Sequence, residues 1–214
     1  MAPIKTVSPA RANPLPVQTA QIEDTEGCIL GDREAQQPLT ALIPTEERVI
    51  STLARYPTFL FYLPPTAAER AEFILYDDRR QPLYKVVFVI SGEGGIISLN
   101  LPTRINLQPL EIGQRYPFSL SVICDPSAPD RNLTVGGRIE RIELPERVKM
   151  EIENALLGDR PRIYAEAGLW LDALTQLAAL RRANPNDPAL LREWESTLNA
   201  LGLEPIAQAP FVNP

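Results

Sequence analysis

AEFILYDDRRQPLYKVVFVI, residues 71–90, decides the fold. Its halves, AEFILYD (71–77) and LYKVVFVI (83–90), are strand-length runs rich in β-branched and aromatic side chains. The polar DRRQ between them suits a turn, so the pair predicts a β-hairpin. In the second half Tyr84, Val86, Phe88 and Ile90 share one face and Leu83, Lys85, Val87 and Val89 the other, the period of a strand. Similar runs lie on both sides: LTALI (39–43), TFLFYL (58–63), GIISLNL (95–101), RYPFSLSVIC (115–124) and NLTVGGRIERIEL (132–144). In the last, Ile139 and Ile142 break strict alternation around Arg138, Glu140 and Arg141. Proline, 22 of 214 residues, falls between these runs more than inside them and so punctuates short elements.

Seven short strands with frequent turn signals predict an antiparallel β-sandwich of immunoglobulin-like or fibronectin-like architecture over residues 28–145. SGEGG (91–95) follows one strand and leads into another, with no Lys-Ser/Thr pair and no helix to receive a phosphate, so it reads as a hairpin turn. Gly136 and Gly137 inside the last strand predict a bulge or a close backbone approach.

After Pro145 the period becomes helical, over a segment bounded as 146–204. In ERVKMEIENALLG (146–158) Val148, Ile152, Ala155 and Leu156 recur at i, i+4, i+7 and i+8, with Gly158 suited to the C′ position. Pro161 opens a second helical stretch, RIYAEAGLWLDALTQLAALRRA (162–183), which ends at Asn184-Pro185. Asn186-Asp187-Pro188 opens a third, ALLREWESTLNALG (189–202). Within the helical segment GLWLDALTQLAALRRANPND (168–187) resembles the second helix and following turn of a tetratricopeptide repeat, with Gly168, Ala173 and Pro185 in register. About three such units are needed for a peptide-binding superhelix, so these helices are expected to pack on the sandwich or on each other. The tail, 205–214, is expected to be irregular and laid across the body through Ile206 and Phe211. The arm, 1–27, has the proline-rich composition of a disordered linker, whether after a removed signal or at a cytosolic terminus.

The formal net charge is −6 and no basic block exists, which argues against nucleic acid or an anionic membrane and leaves proteins as the expected partners. The longest apolar run, Val86–Ile90, is far too short for a membrane span, and the first 25 residues contain no apolar core of a signal peptide. Histidine is absent, so the usual acid/base, triad and zinc chemistries lose their main residue. No cofactor and no metal is expected. Lys5, Lys85 and Lys149 form no S-x-x-K. Asp77, Asp78, Glu140 and Glu143 fall at turns or on polar strand faces; a carboxylate pair for glycoside hydrolysis is spatial and leaves no sequence signature. Asp125, Asp130 and Asn132 crowd one loop without the spacing of a calcium site. No catalytic residue is therefore assigned.

Cys28 and Cys124 allow two readings: one structural disulfide in an oxidising compartment, or two buried thiols in a cytosol. The polar setting of Cys28, EDTEGCILGDRE (23–34), favours the first, because a small buried hydrophobe has little purpose there. Closing so long a loop stabilises by about 4–5 kcal/mol in the chain-entropy model. Tyr164, Trp170 and Trp194 are the candidate binding residues: exposed, they are interaction anchors; at helical spacing among leucines, they are core.

A cysteine ahead of LTALIP (39–44), then PTFLFYLP (57–64), AEFILYD, Cys124-Asp125-Pro126 and YAEAGLWLDALTQLAALRRANPND (164–187) together resemble a family of cyanobacterial proteins known as a domain of unknown function, number 928 of its series. The resemblance runs from Cys28 to Ala207. Its members commonly begin with a signal peptide, which implies export and supports a Cys28–Cys124 disulfide; it brings no catalytic residues. The expectation is an exported, non-enzymatic protein-protein interaction or adaptor protein, periplasmic or extracellular. The alternatives are a carboxylate-based hydrolase or sugar-binding module working in a cleft between sandwich and helices, and a cytoplasmic scaffold with free thiols.

Overall fold

The computed structural model describes residues 28–30, 37–44, 49–103 and 107–213, so the arm at 1–27 lies outside the described residues. Its strands are β1 (Thr40–Ala41), β2 (Ile50–Thr52), β3 (Thr58–Leu63), β4 (Arg70–Tyr76), β5 (Pro82–Val89), β6 (Gly95–Asn100), β7 (Arg115–Val122) and β8 (Leu133–Arg141). The helices are α1 (Glu146–Asn154), α2 (Arg160–Glu166), α3 (Trp170–Ala183) and α4 (Pro188–Ala200). One sheet has the order β1-β3-β6 and the other β2-β8-β7-β4-β5. With β4, β7 and β8 together in one layer and β1, β3 and β6 in the other, the strand exchange is that of an immunoglobulin-type sandwich.

Alternation builds the layers. On β3, Phe59 and Phe61 point between the sheets, where they meet Phe73 of β4 and Phe118 of β7 with ring centroids 4.8–6.5 Å apart. Leu60, between them, points the other way and joins Leu42 and Ile96 against Leu174, Leu177, Trp194 and Leu198. The three-stranded sheet is thus buried on both faces, and the helices form a third layer on its outside. Each such large side chain removed from water contributes about 2 kcal/mol, so the helical layer is held by many small increments.

The helix ends follow local chemistry. The Asp187 carboxylate accepts from the Ala189 N–H at 2.8 Å and caps α4, with Pro188 in its first turn. Gly202, at φ 72°, ends the helix as expected. The tail is extended after Ala209: the Ile96 N–H donates to the Pro210 carbonyl at 2.7 Å and the Val212 N–H to the Ile96 carbonyl at 3.0 Å. Ile206 is buried, and Phe211 packs on Trp194, the rings tilted by 57° with centroids 5.2 Å apart.

Several expectations are corrected. β2 was not foreseen: three residues beside the charged EERV stretch show no period, and its pairing with β8, Ile50 opposite Ile139, is parallel, so the five-stranded sheet is not wholly antiparallel. SGEGG is not a hairpin turn, because β5 and β6 belong to different sheets; Gly92, Gly94 and Gly95, all at positive φ, carry the chain across. The register around Gly136 and Gly137 contains no bulge. A side chain at Gly137 would lie 2.9 Å from Ile43 Cδ1 and 3.0 Å from Phe118 Cζ, so what approaches this glycine closely is side chains and not another backbone. The 162–183 stretch is two helices, broken where Gly168 takes φ 73°. α1 ends at Asn154, where Ala155 turns extended, four residues before Gly158.

Candidate functional site

Where the helical layer meets the sandwich edge, α3 places Asp172 over β2. Its carboxylate accepts from the Leu53 N–H at 3.3 Å and from the Thr52 hydroxyl. The Thr52 oxygen in turn accepts from the Ala54 N–H at 3.1 Å. Burial pushes the Asp172 carboxyl up from 3.8 to about 6, against these hydrogen bonds, which favour the charged form. Beside it lies a cleft of about 150 Å³ lined by Tyr56, Tyr164, Asp172, Thr175 and Gln176 among others. Burial also raises the Tyr164 phenol, with the negative Asp172 adding to it.

This cleft stands where a hydrolase was to be sought, between sandwich and helices. Its lining contains one carboxylate, whereas glycoside hydrolysis uses two facing each other, and its volume falls below the roughly 300–1,000 Å³ of small-molecule sites. Of the other acids considered, Asp77 and Asp78 line one pocket of about 420 Å³ together with Glu111, and Asp77, Glu140 and Glu143 each have a partner of their own. Asp77 Oδ1 caps the β4–β5 turn through the Gln81 N–H at 2.7 Å, Glu140 pairs with Arg115 at 2.8 Å, and Glu143 pairs with Lys149 at 3.3 Å. Asp125 accepts from the Ser127 N–H and Asn132 from the Cys124 N–H, as a loop tied to itself. Among the described residues no three acids, cysteines or histidines are grouped as metal ligands.

Cys28 and Cys124 are joined by a disulfide, Cα atoms 5.3 Å apart. The Thr66 hydroxyl donates to the Cys28 carbonyl, and the Ala67 N–H to the same oxygen at 2.9 Å, so the bridge fastens the lead-in segment beside the start of β4. The aromatic candidates separate. Trp194 is fully buried, its indole N–H donating to the Ala207 carbonyl at 3.1 Å, so of its two readings it is core and no binding residue. Trp170 is half-buried against the same helical core, and Tyr164 lines the Asp172 cleft.

Two apolar surfaces are uncovered instead. Leu156 and Leu157, between α1 and α2, are 76% and 62% exposed. The outer row of β5, Leu83, Val87 and Val89, is open to solvent, with Val89 68% exposed. On the inner side of β5 a cavity of about 330 Å³ opens between the sheets, lined by Phe73, Tyr84, Val86, Phe88, Leu99 and Leu101 among others.

The family model described as Domain of Unknown Function (DUF928) matches residues 25–211, the sandwich, the helices and most of the tail. The chain belongs to this family. In this DUF928 chain the match takes in both cysteines and all the elements described above. No curated protein matches the chain. Among solved structures, CopC from Methylosinus trichosporium OB3b is similar at 9% identity over 50% of this chain and 98% of that one, with a TM-score of 0.31, a likeness too loose to bear on function.

Proposed function

We propose that this DUF928 protein is exported and works by binding protein, without catalysing a reaction. The observation that carries the reading is the edge of β5, uncovered among the described residues: a long strand ending a five-stranded sheet, its outer row apolar at Leu83, Val87 and Val89 with Lys85 between them. Such edges are what pairing with another chain requires, and folded proteins otherwise blunt them. The Cys28–Cys124 disulfide supports export, because such bonds persist in oxidising compartments. The helical layer, whose α2–α3 unit keeps the tetratricopeptide-like Gly168, Ala173 and Pro185, buttresses the sandwich from behind and leaves the β5 side free.

The test is fractionation of the native source followed by gel filtration of each fraction under non-reducing conditions. The reading predicts an oxidised protein in the periplasmic or extracellular fraction, eluting well above its 23.8 kDa. A reduced protein in the cytosolic fraction overturns export. A monomer in every fraction, together with no concentration-dependent association of the purified protein, overturns the interaction reading.

A further inference from the structure

Among the described residues there are four sheet edges, and three are short or partly covered. β1 has two residues, β2 has three and lies under α3, and β6 is met at its start by the tail, which bonds Ile96 through Pro210 and Val212. β5 is eight residues long and nothing among the described residues covers it. Its backbone phase follows from its register with β4. Arg70 lies opposite Val89, and the Ile90 N–H donates to the Glu69 carbonyl at 3.0 Å. Antiparallel pairs alternate, so Phe88, Val86 and Tyr84 bond to β4, while the N–H and C=O groups of Val89, Val87 and Lys85 face outward.

The geometry points to a second copy of this chain as the occupant of that edge, paired antiparallel through β5 so that two five-stranded sheets become one of ten strands. A two-fold axis must pair the outward residues with one another. Centring it on Val86 uses the whole strand: Leu83 faces the partner's Val89, Tyr84 its Phe88, Lys85 its Val87, and Val86 its Val86. Three of the four kinds of opposed pair then match in size or type, Lys85 faces an apolar Val87, and no charge faces its like. Lys85 is already drawn back to Glu72 of β4, at 2.6 Å, so pairing strands no cation. On the inner side the aromatic pair belongs to the lining of the 330 Å³ cavity in each copy. One seven-residue ladder is a small interface, so the dimer is expected to be weak, with dissociation in the micromolar range.

This inference rests on the interaction reading and names its partner. The experiment is sedimentation velocity of the purified, oxidised full chain over a wide concentration range, with the variants Val87→Lys and Val86→Cys. The wild type is expected to pass from monomer to dimer. Val87→Lys sets a lysine against the partner's Lys85 and should weaken the dimer at least tenfold, while its exposed site leaves the melting temperature nearly unchanged. Val86→Cys lies opposite itself, within disulfide reach, and should cross-link into a dimer on mild oxidation, whereas Val89→Cys should not. A wild type that stays monomeric throughout, or a dimer indifferent to Val87→Lys, overturns the proposal. If such a monomer still elutes within a larger complex from the native extract, self-pairing fails alone; a monomer in both settings removes the interaction reading as well.

Discussion

Asp172 of α3 accepts a hydrogen bond from the backbone N–H of Leu53, 119 residues away in sequence, and so ties the helical layer to the edge of the sandwich. The tie is made by a carboxyl whose burial raises its pKa from 3.8 to about 6. A folded-state pKa above the unfolded one means that the folded chain binds the proton more tightly, so this group's contribution is complete below pH 4 and is lost as pH rises through 6. A shift of about two units corresponds to about 3 kcal/mol as an upper bound. Asp172→Asn keeps an oxygen to accept from Leu53 and cannot ionise. It should raise stability at pH 7 and leave it little changed at pH 4. Urea denaturation of both proteins across that range checks this; a variant equally destabilised at both pH values would mean that the hydrogen-bond geometry outweighs the charge.

The disulfide joins residues separated by 96 positions. Removing it releases a long loop in the unfolded chain, a loss of about 4 kcal/mol in the chain-entropy model. The double variant Cys28→Ser/Cys124→Ser should therefore unfold at clearly lower denaturant than the oxidised wild type, and reduced wild type should match the variant. Coincident curves for oxidised and reduced protein would show that the bridge adds nothing to this fold.

Gly137 faces a fixed neighbour. A methyl there would lie 2.9 Å from Ile43 Cδ1 and 3.0 Å from Phe118 Cζ, and Phe118 is itself held among Phe59, Phe61 and Phe73. Overpacking of this kind costs about 1–3 kcal/mol. Gly137→Ala should lower the melting temperature measurably, while Gly158→Ala, with nothing within 4 Å, should not. Equal effects at the two positions would contradict the packing.

The hairpin, the longer strands and the caps of α4 were legible because they rest on local pattern: the two-residue period of LYKVVFVI, the Asp187-Pro188 start, the Gly202 stop. β2 was illegible because three residues show no period and its partner, β8, lies some 90 residues on. The crossing at Gly92–Gly95 looks like a hairpin in sequence because a glycine-rich turn serves either purpose, and only sheet membership distinguishes them. Asp172 did leave a trace, a lone acid in the apolar run LWLDAL, but what raises its pKa is the layer of sandwich above it, which no local reading supplies. Trp194 shows the opposite case: its leucine-rich helical setting pointed to core, and core is where it lies.

The tail is bound through one ring. Phe211 packs in a tilted pair with Trp194 at 5.2 Å and carries the Arg181 and Arg182 guanidinium groups over its face, at 5.2 and 4.9 Å. Arg181 also lies over Trp194, and its Nη1 is buried without a hydrogen-bond partner, so at that atom the ring faces stand in place of water, while the Glu195 charge also favours the cation. Phe211→Ala removes the shared ring and should cost about 2 kcal/mol, less than the 3–5 typical of a fully buried phenylalanine. Phe211→Leu keeps most of the bulk and should recover about half of that loss, the remainder being the cation–ring part. The tail also holds the free side of β6, so hydrogen exchange should show the effect locally before it shows globally. The amides of Ile96 and Val212, bonded to Pro210 and Ile96, should exchange faster in Phe211→Ala, with the amides between β4 and β7 barely changed. If Ile96 kept its protection in the variant, the tail would be held by its backbone bonds alone and the aromatic contact would be incidental.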